Sequence, residues 1–141
     1  MSPLTHLLLK LILFVAGVAT VVLLGVLAFA FLKRAPPSRA IRAQAAKQGA
    51  IVVDVRSQKE WDADHVDGAL HVPCTMTDAS AIARAAADGT LPAARGTPVL
   101  VHCAVGGRSA VAARALAAAG YTDVVNSISL KTTRDALKQA R

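Results

Sequence analysis

Aromatic residues are scarce in this chain of 141 residues, which has three Phe, one Trp and one Tyr. Phe14, Phe29 and Phe31 all fall in one apolar stretch near the N-terminus, so a core built by the remaining chain has to be aliphatic. Cysteine is equally sparse. Cys74 and Cys103 alone make no disulfide framework, and free thiols suit a reducing compartment. No pair among His65, His71, His102 and the cysteines has a C-x-x-C or H-x-x-x-H spacing, which argues against a metal site. Asp62, Asp64 and Asp67-Gly68 resemble a calcium loop only faintly. The glycine comes one place late, Val66 holds the fifth position and Pro73 the twelfth. No internal repeat is present.

Acidic residues are missing from the basic run Lys33, Arg34, Arg39, Arg42 and Lys47, which carries much of the net charge of +7. Beyond Lys47 the chain has ten basic and nine acidic side chains, so that part is close to neutral. A localised excess of this kind argues against nucleic acid as a partner.

Charge is also missing from residues 11–32, where Thr20 is the only polar side chain. As a helix rising about 1.5 Å per residue, this run can cross a bilayer. It reads as an uncleaved single-pass anchor after a short tail at 1–10. Ala28-Phe29-Ala30 has the A-x-A form of a signal-peptide cleavage site, which keeps export to the periplasm as the alternative. The length of the run and the cluster of positive charge that follows it favour the anchor. The positive-inside rule then puts the C-terminal part in the cytoplasm, with the basic run near lipid headgroups. A basic, proline-containing linker is expected at 33–37 and a folded domain at 38–141.

Within that domain, helical patterns are expected at 39–48, 57–63, 78–88, 108–119 and 130–139. Ser57 to Glu60 forms a capping-box pattern at the start of the second of these. Strands are expected at 51–55, 69–72, 99–102 and 123–127. Strands alternating with helices predict an α/β domain with a central parallel sheet, whose C-terminal strand ends share one rim. Ligands bind outside such ends. Cys103 lies at one of them, and Asp54 to Arg56 and Pro73-Cys74 lie at others.

Val99-Leu100-Val101-His102-Cys103-Ala104-Val105-Gly106-Gly107-Arg108-Ser109 is the richest stretch chemically. A buried-type strand runs into a cysteine, the glycines permit positive φ, and a helix opens at the arginine. Backbone N–H groups converging there, with the helix start, favour an anion and depress the cysteine pKa. Cys103 is therefore the candidate nucleophile and Arg108 the candidate oxyanion partner, with Ala104, Val105, Gly106, Gly107 and Ser109 lining the loop. Asp54, Arg56 and Glu60 are supporting candidates. Each also has a structural reading: a strand-end hydrogen bond, a pairing with a nearby acid, and a helix cap with Ser57.

Three blocks in order resemble the single-domain rhodaneses, sulfurtransferases that include small membrane-anchored bacterial kinds. They are Val53-Asp54-Val55-Arg56, the run from Glu60-Trp61 through His65, Gly68-Ala69 and Pro73, and the loop from Cys103 to Ser109. The resemblance covers roughly residues 38–141. It implies a rhodanese-like three-layer fold and a covalent Cys103 persulfide in place of any cofactor. Sulfur would come from a small anion such as thiosulfate and pass to a thiol, cyanide or protein acceptor. The loop from Cys103 to Arg108 has six residues, and related phosphatases use a loop one residue longer to cradle phosphate. Phosphatase or arsenate-reductase chemistry is thus the enzymatic alternative, and a membrane-tethered sulfur carrier or scaffold is the alternative of a different class. The chain departs from the family after the last strand. Asn126-Ser127-Ile128-Ser129-Leu130-Lys131 stands where many members carry a Gly-Gly pair and a tryptophan, and residue 71 is His.

Overall fold

The computed structural model describes residues 2–34 and 38–141. It separates into an N-terminal helix and a compact C-terminal domain. Helix α1 runs from Pro3 to Arg34. Its Pro3–Leu27 part is long and apolar enough to cross a membrane. The helix takes in most of the expected tail, and Lys33 and Arg34 of the expected linker are its last two residues. The rest of that linker, 35–37, lies outside the described residues.

The domain contains α2 (Arg39–Ala45), β1 (Ile51–Asp54), α3 (Gln58–Ala63), β2 (Leu70–His71) and α4 (Ser80–Asp88). It continues with β3 (Val99–Cys103), α5 (Gly107–Ala118), β4 (Val124–Ser129) and α6 (Leu130–Gln139). The strands form one parallel sheet in the order β2-β1-β3-β4. Strand β3 is central and buried along its whole length, as a Val- and Leu-rich strand covered on both faces should be.

Side-chain alternation divides the core into two. Val53, Val99, Val101 and Cys103 join Ile82 and Ala85 of α4 and Ala112 and Leu116 of α5. Val52 and Leu100 join Ile41 of α2 and Ala136 of α6. Helices thus cover both faces of the parallel sheet expected from the alternating pattern, giving the three layers that the family resemblance implies. Tyr121 is the only aromatic side chain in either buried cluster, and both are otherwise aliphatic apart from the two cysteines.

Element boundaries moved where local hydrogen bonds compete with the periodic pattern. Helix α2 stops at Ala45 and the chain turns through Gly49 at φ +72°. Helix α4 starts two residues later than expected, because the Thr75 hydroxyl takes the Asp78 N–H and the Asp78 carboxylate takes the Ser80 N–H. Strand β4 runs two residues further, through a bulge. Val101 pairs with Asn126 but His102 pairs with Ile128, so Ser127 is the extra residue.

Candidate active site

Cys103 ends β3 and faces the α4/α5 side of the sheet, where it is 1% exposed. The chain then turns through Ala104 and Val105 to Gly106, which caps α5 at φ +97°. Only Gly106 uses the left-handed region; Gly107 is already helical. This tight return puts the Gly106 N–H 3.1 Å from the Cys103 Sγ. The Ser109 Oγ, one turn into α5, lies 3.4 Å from the same sulfur.

These contacts set the electrostatics of the thiol. Burial pushes the Cys103 pKa up. The Ser109 hydroxyl and the backbone N–H groups of Ser109, Val105 and Gly106 pull it down, and the net shift is downward. Cys74 follows the opposite course. It is buried, its Sγ lies 3.4 Å from the Val72 carbonyl, and burial together with the nearby Asp78 charge raises its pKa to about 11. One thiol of the pair is activated and the other is held protonated.

Arg108 lies in the first turn of α5 beside the sulfur, and its guanidinium is kept charged chiefly by Glu60 and to a lesser degree by Cys103. That guanidinium is met by Glu60, with Nη1 to Oε2 at 2.7 Å and Nη2 to Oε1 at 2.8 Å. Glu60 also completes the capping box of α3. Its Oε2 accepts from the Ser57 N–H at 3.0 Å, while the Glu60 N–H donates to the Ser57 Oγ. The Arg108 hydrogen bonds, more than any other contact, hold the Glu60 carboxyl far below the ordinary carboxylate range. Capping and docking of the loop arginine therefore fall to one side chain. The local pattern revealed the cap, but no spacing rule joins residues 48 apart.

Asp54 and Arg56 belong to a different cluster. The Asp54 carboxylate is fully buried on the α2/α6 side. It accepts from Arg56 Nη2 at 2.7 Å, from Arg56 Nε at 3.0 Å and from the Arg56 N–H at 2.9 Å. Arg56 Nη2 donates further to the Asp64 carbonyl. His102 is buried beside this pair, with Nε2 3.5 Å from the Asp54 carboxylate. Trp61 is stacked against His65 and His71, with ring centroids 4.0 Å and 4.6 Å apart.

Asn126 is a site residue that pattern reading did not single out. From β4 its Oδ1 accepts from the Ser109 Oγ at 2.8 Å and from the Ile128 N–H at 2.9 Å, while its Nδ2 donates to the Gly106 carbonyl at 3.1 Å. The only signal in the sequence was that residues 126–131 depart from the family pattern. Around the loop stand three exposed apolar side chains, Met76, Val105 and Ile128, with Val105 84% exposed.

A three-layer parallel α/β domain that ends its central strand in a thiolate-stabilising loop defines a class of cysteine-loop proteins. Residues 38–128 match the Rhodanese-like domain family, and the chain belongs to that family. It is 40% identical over 92 residues to the thiosulfate sulfurtransferase GlpE of Pseudomonas fluorescens (strain SBW25), covering 65% of this chain and 74% of that protein. It is 33% identical over 75 residues to the probable adenylyltransferase/sulfurtransferase MoeZ of Mycobacterium tuberculosis, covering 53% of this chain and 17% of that protein. Among solved structures, a rhodanese with anions from E. coli aligns at a TM-score of 0.49 and 28% identity, over 59% of this chain and 89% of that one.

Proposed function

We propose that the chain is a thiosulfate sulfurtransferase that works through a persulfide on Cys103. The observation that carries this reading is the pair of contacts from the Gly106 N–H and the Ser109 hydroxyl to the Cys103 sulfur, which stabilise the thiolate over the thiol. The thiolate attacks the outer sulfur of thiosulfate. A sulfur–sulfur bond forms to Cys103, the bond within thiosulfate breaks, and sulfite leaves with the electron pair. The loop now holds a persulfide anion, which the same N–H groups and the charge of Arg108 stabilise. An acceptor nucleophile then takes the outer sulfur, and the Cys103 thiolate returns. With cyanide as acceptor the product is thiocyanate.

No cofactor enters this scheme. The six-residue loop suits sulfur better than a tetrahedral phosphate. The test is thiocyanate formation from thiosulfate and cyanide beside hydrolysis of a phosphate ester. Thiosulfate turnover that is lost in Cys103→Ser, with no phosphate release, supports the reading. Phosphate release without thiocyanate overturns it. A cyanide-labile sulfur on Cys103 without turnover would favour a carrier role.

The apolar helix serves in this reading as a single-pass membrane anchor, with the domain on the side of the basic residues that follow it, the cytoplasm. Cys103 is too buried to report topology with a bulky reagent. A cysteine placed at exposed Gln139 is the better probe. Labelling of that position by a membrane-impermeant maleimide only after cell lysis is expected, and labelling in intact cells would reverse the orientation.

A further inference from the structure

The Ser109 hydroxyl has one proton and two acceptors within reach. The Asn126 Oδ1 lies at 2.8 Å and the Cys103 Sγ at 3.4 Å. The amide of Asn126 cannot turn to relieve this competition. Its Nδ2 faces the Gly106 carbonyl, which only accepts, and its Oδ1 faces the Ile128 N–H, which only donates. Both neighbours fix the same orientation, so an acceptor is held against Ser109. We infer that Asn126 is a positioning residue that competes with the Cys103 sulfur for the Ser109 proton, and so sets how strongly that hydroxyl stabilises the attacking thiolate.

The competition suits the sulfur-transfer cycle on which this inference rests. While the inner sulfur carries the negative charge, it draws the hydroxyl. Once the outer sulfur is attached, the charge moves outward, and Ser109 can turn to Asn126 without leaving its proton unpaired. The loop needs no rearrangement for this exchange. The Gly106 carbonyl also accepts from the Ala110 N–H at 3.0 Å, the opening bond of α5, so the loop stays tethered without Asn126. The other titratable groups around the thiol are Arg108 of α5 with its partner Glu60 of α3, Cys74 beyond β2 and His102 on β3. Asn126 hydrogen-bonds instead to the Ser109 hydroxyl, the Gly106 carbonyl and the Ile128 N–H.

Removing the competitor should therefore make Cys103 more acidic. A merely structural residue would act the other way, since a loosened loop loses thiolate contacts. The experiment is the pH profile of Cys103 alkylation by iodoacetamide on the full chain, with the site read by mass spectrometry. Asn126→Ala should move the midpoint down by about half a pH unit, as expected for a modest hydrogen-bond change. Asn126→Leu, which keeps the volume, should do the same and serves if the alanine variant does not fold. Ser109→Ala should move the midpoint up. In the Ser109→Ala background, Asn126→Ala and Asn126→Leu should have no further effect. An upward or absent shift in the single Asn126 variants overturns the inference, as does a shift that persists without Ser109. Alkylation needs no sulfur donor. Absence of thiosulfate turnover with this series intact would therefore count against the sulfurtransferase reading alone.

Discussion

Glu60 and Arg108 meet through two parallel hydrogen bonds of 2.7 and 2.8 Å, although they belong to α3 and α5. The pairing is the fork geometry that guanidinium and carboxylate favour, and it fixes the plane of the arginine beside the Cys103 sulfur. The helix cap and the cationic wall of the loop thus depend on one carboxylate.

That dual role separates two substitutions at Glu60. Glu60→Gln keeps a capping acceptor but loses the charge; Glu60→Ala loses both. Sulfur transfer should fall in each, by roughly tenfold, because the guanidinium is no longer held in place. At neutral pH stability should fall in Glu60→Gln, but only modestly since the pair is partly solvent-screened, and should fall by about 1 kcal/mol more in Glu60→Ala. The folded-state pKa of Glu60 lies below its ordinary 4.5. Its stabilising contribution is therefore present above that value and is lost as pH falls through the lowered one. Urea midpoints of wild type and Glu60→Gln should accordingly converge on acidification.

The two glycines of the loop should respond differently to a methyl group. Gly106 sits at φ +97°, and an added Cβ would come 3.3 Å from the Ile128 side chain. Gly106→Ala should cost about 1–2 kcal/mol and misplace the N–H that serves the sulfur. Gly107 has ordinary helical backbone, and its Cβ would meet only the end of the exposed, flexible Met76 side chain. Gly107→Ala should stay within about 0.5 kcal/mol of wild type, because the added helix propensity offsets the shift of Met76. Thermal unfolding of the two variants checks both values, and equal losses would contradict the assignment of the loop's turn to Gly106.

The sheet, its parallel sense and its helix partners were legible because the periodic pattern and the punctuation by Gly and Pro agreed along the domain. The loop was legible for a different reason: strand, cysteine, glycine and arginine are consecutive, so local chemistry and local geometry coincide. What stayed hidden joined distant elements. Nothing in the sequence pairs Glu60 with Arg108 or brings Asn126 over Ser109, because sheet order and helix packing create those contacts. Asp54 and Arg56 show the converse. Two residues apart in sequence, they form their own buried pair on the α2/α6 side.

The two cysteines should titrate apart. With the Cys103 pKa below its ordinary 9.0, reactivity toward a small alkylating agent should rise and level off below the usual thiol range. Cys74, raised to about 11, should stay unmodified at neutral pH until the domain is unfolded. Peptide mapping after a pH series of brief alkylation checks this. Cys74→Ala should leave the Cys103 profile in place. A bridge between the two cysteines after mild oxidation would show a mobility that the packing of Cys74 does not suggest.

Ile128 has φ +72°, a left-handed conformation that a β-branched side chain adopts at a cost of about 1–2 kcal/mol. Its side chain returns little for that strain, being 44% exposed. The conformation follows from the bulge at Ser127 and from the Ile128 N–H, which the Asn126 side chain draws toward itself. Glycine relieves the strain but loses about 0.5–1 kcal/mol to greater freedom in the unfolded chain. Ile128→Gly should therefore be neutral to stabilising, by roughly 0.5 kcal/mol. Asparagine tolerates the left-handed region and should be accepted almost as well. A half-exposed isoleucine in ordinary strand geometry would instead lose stability on either change. Urea unfolding of both variants distinguishes the two cases. A clear loss in each would mean that Ile128 contributes more through its packing over Gly106 than its backbone strain costs.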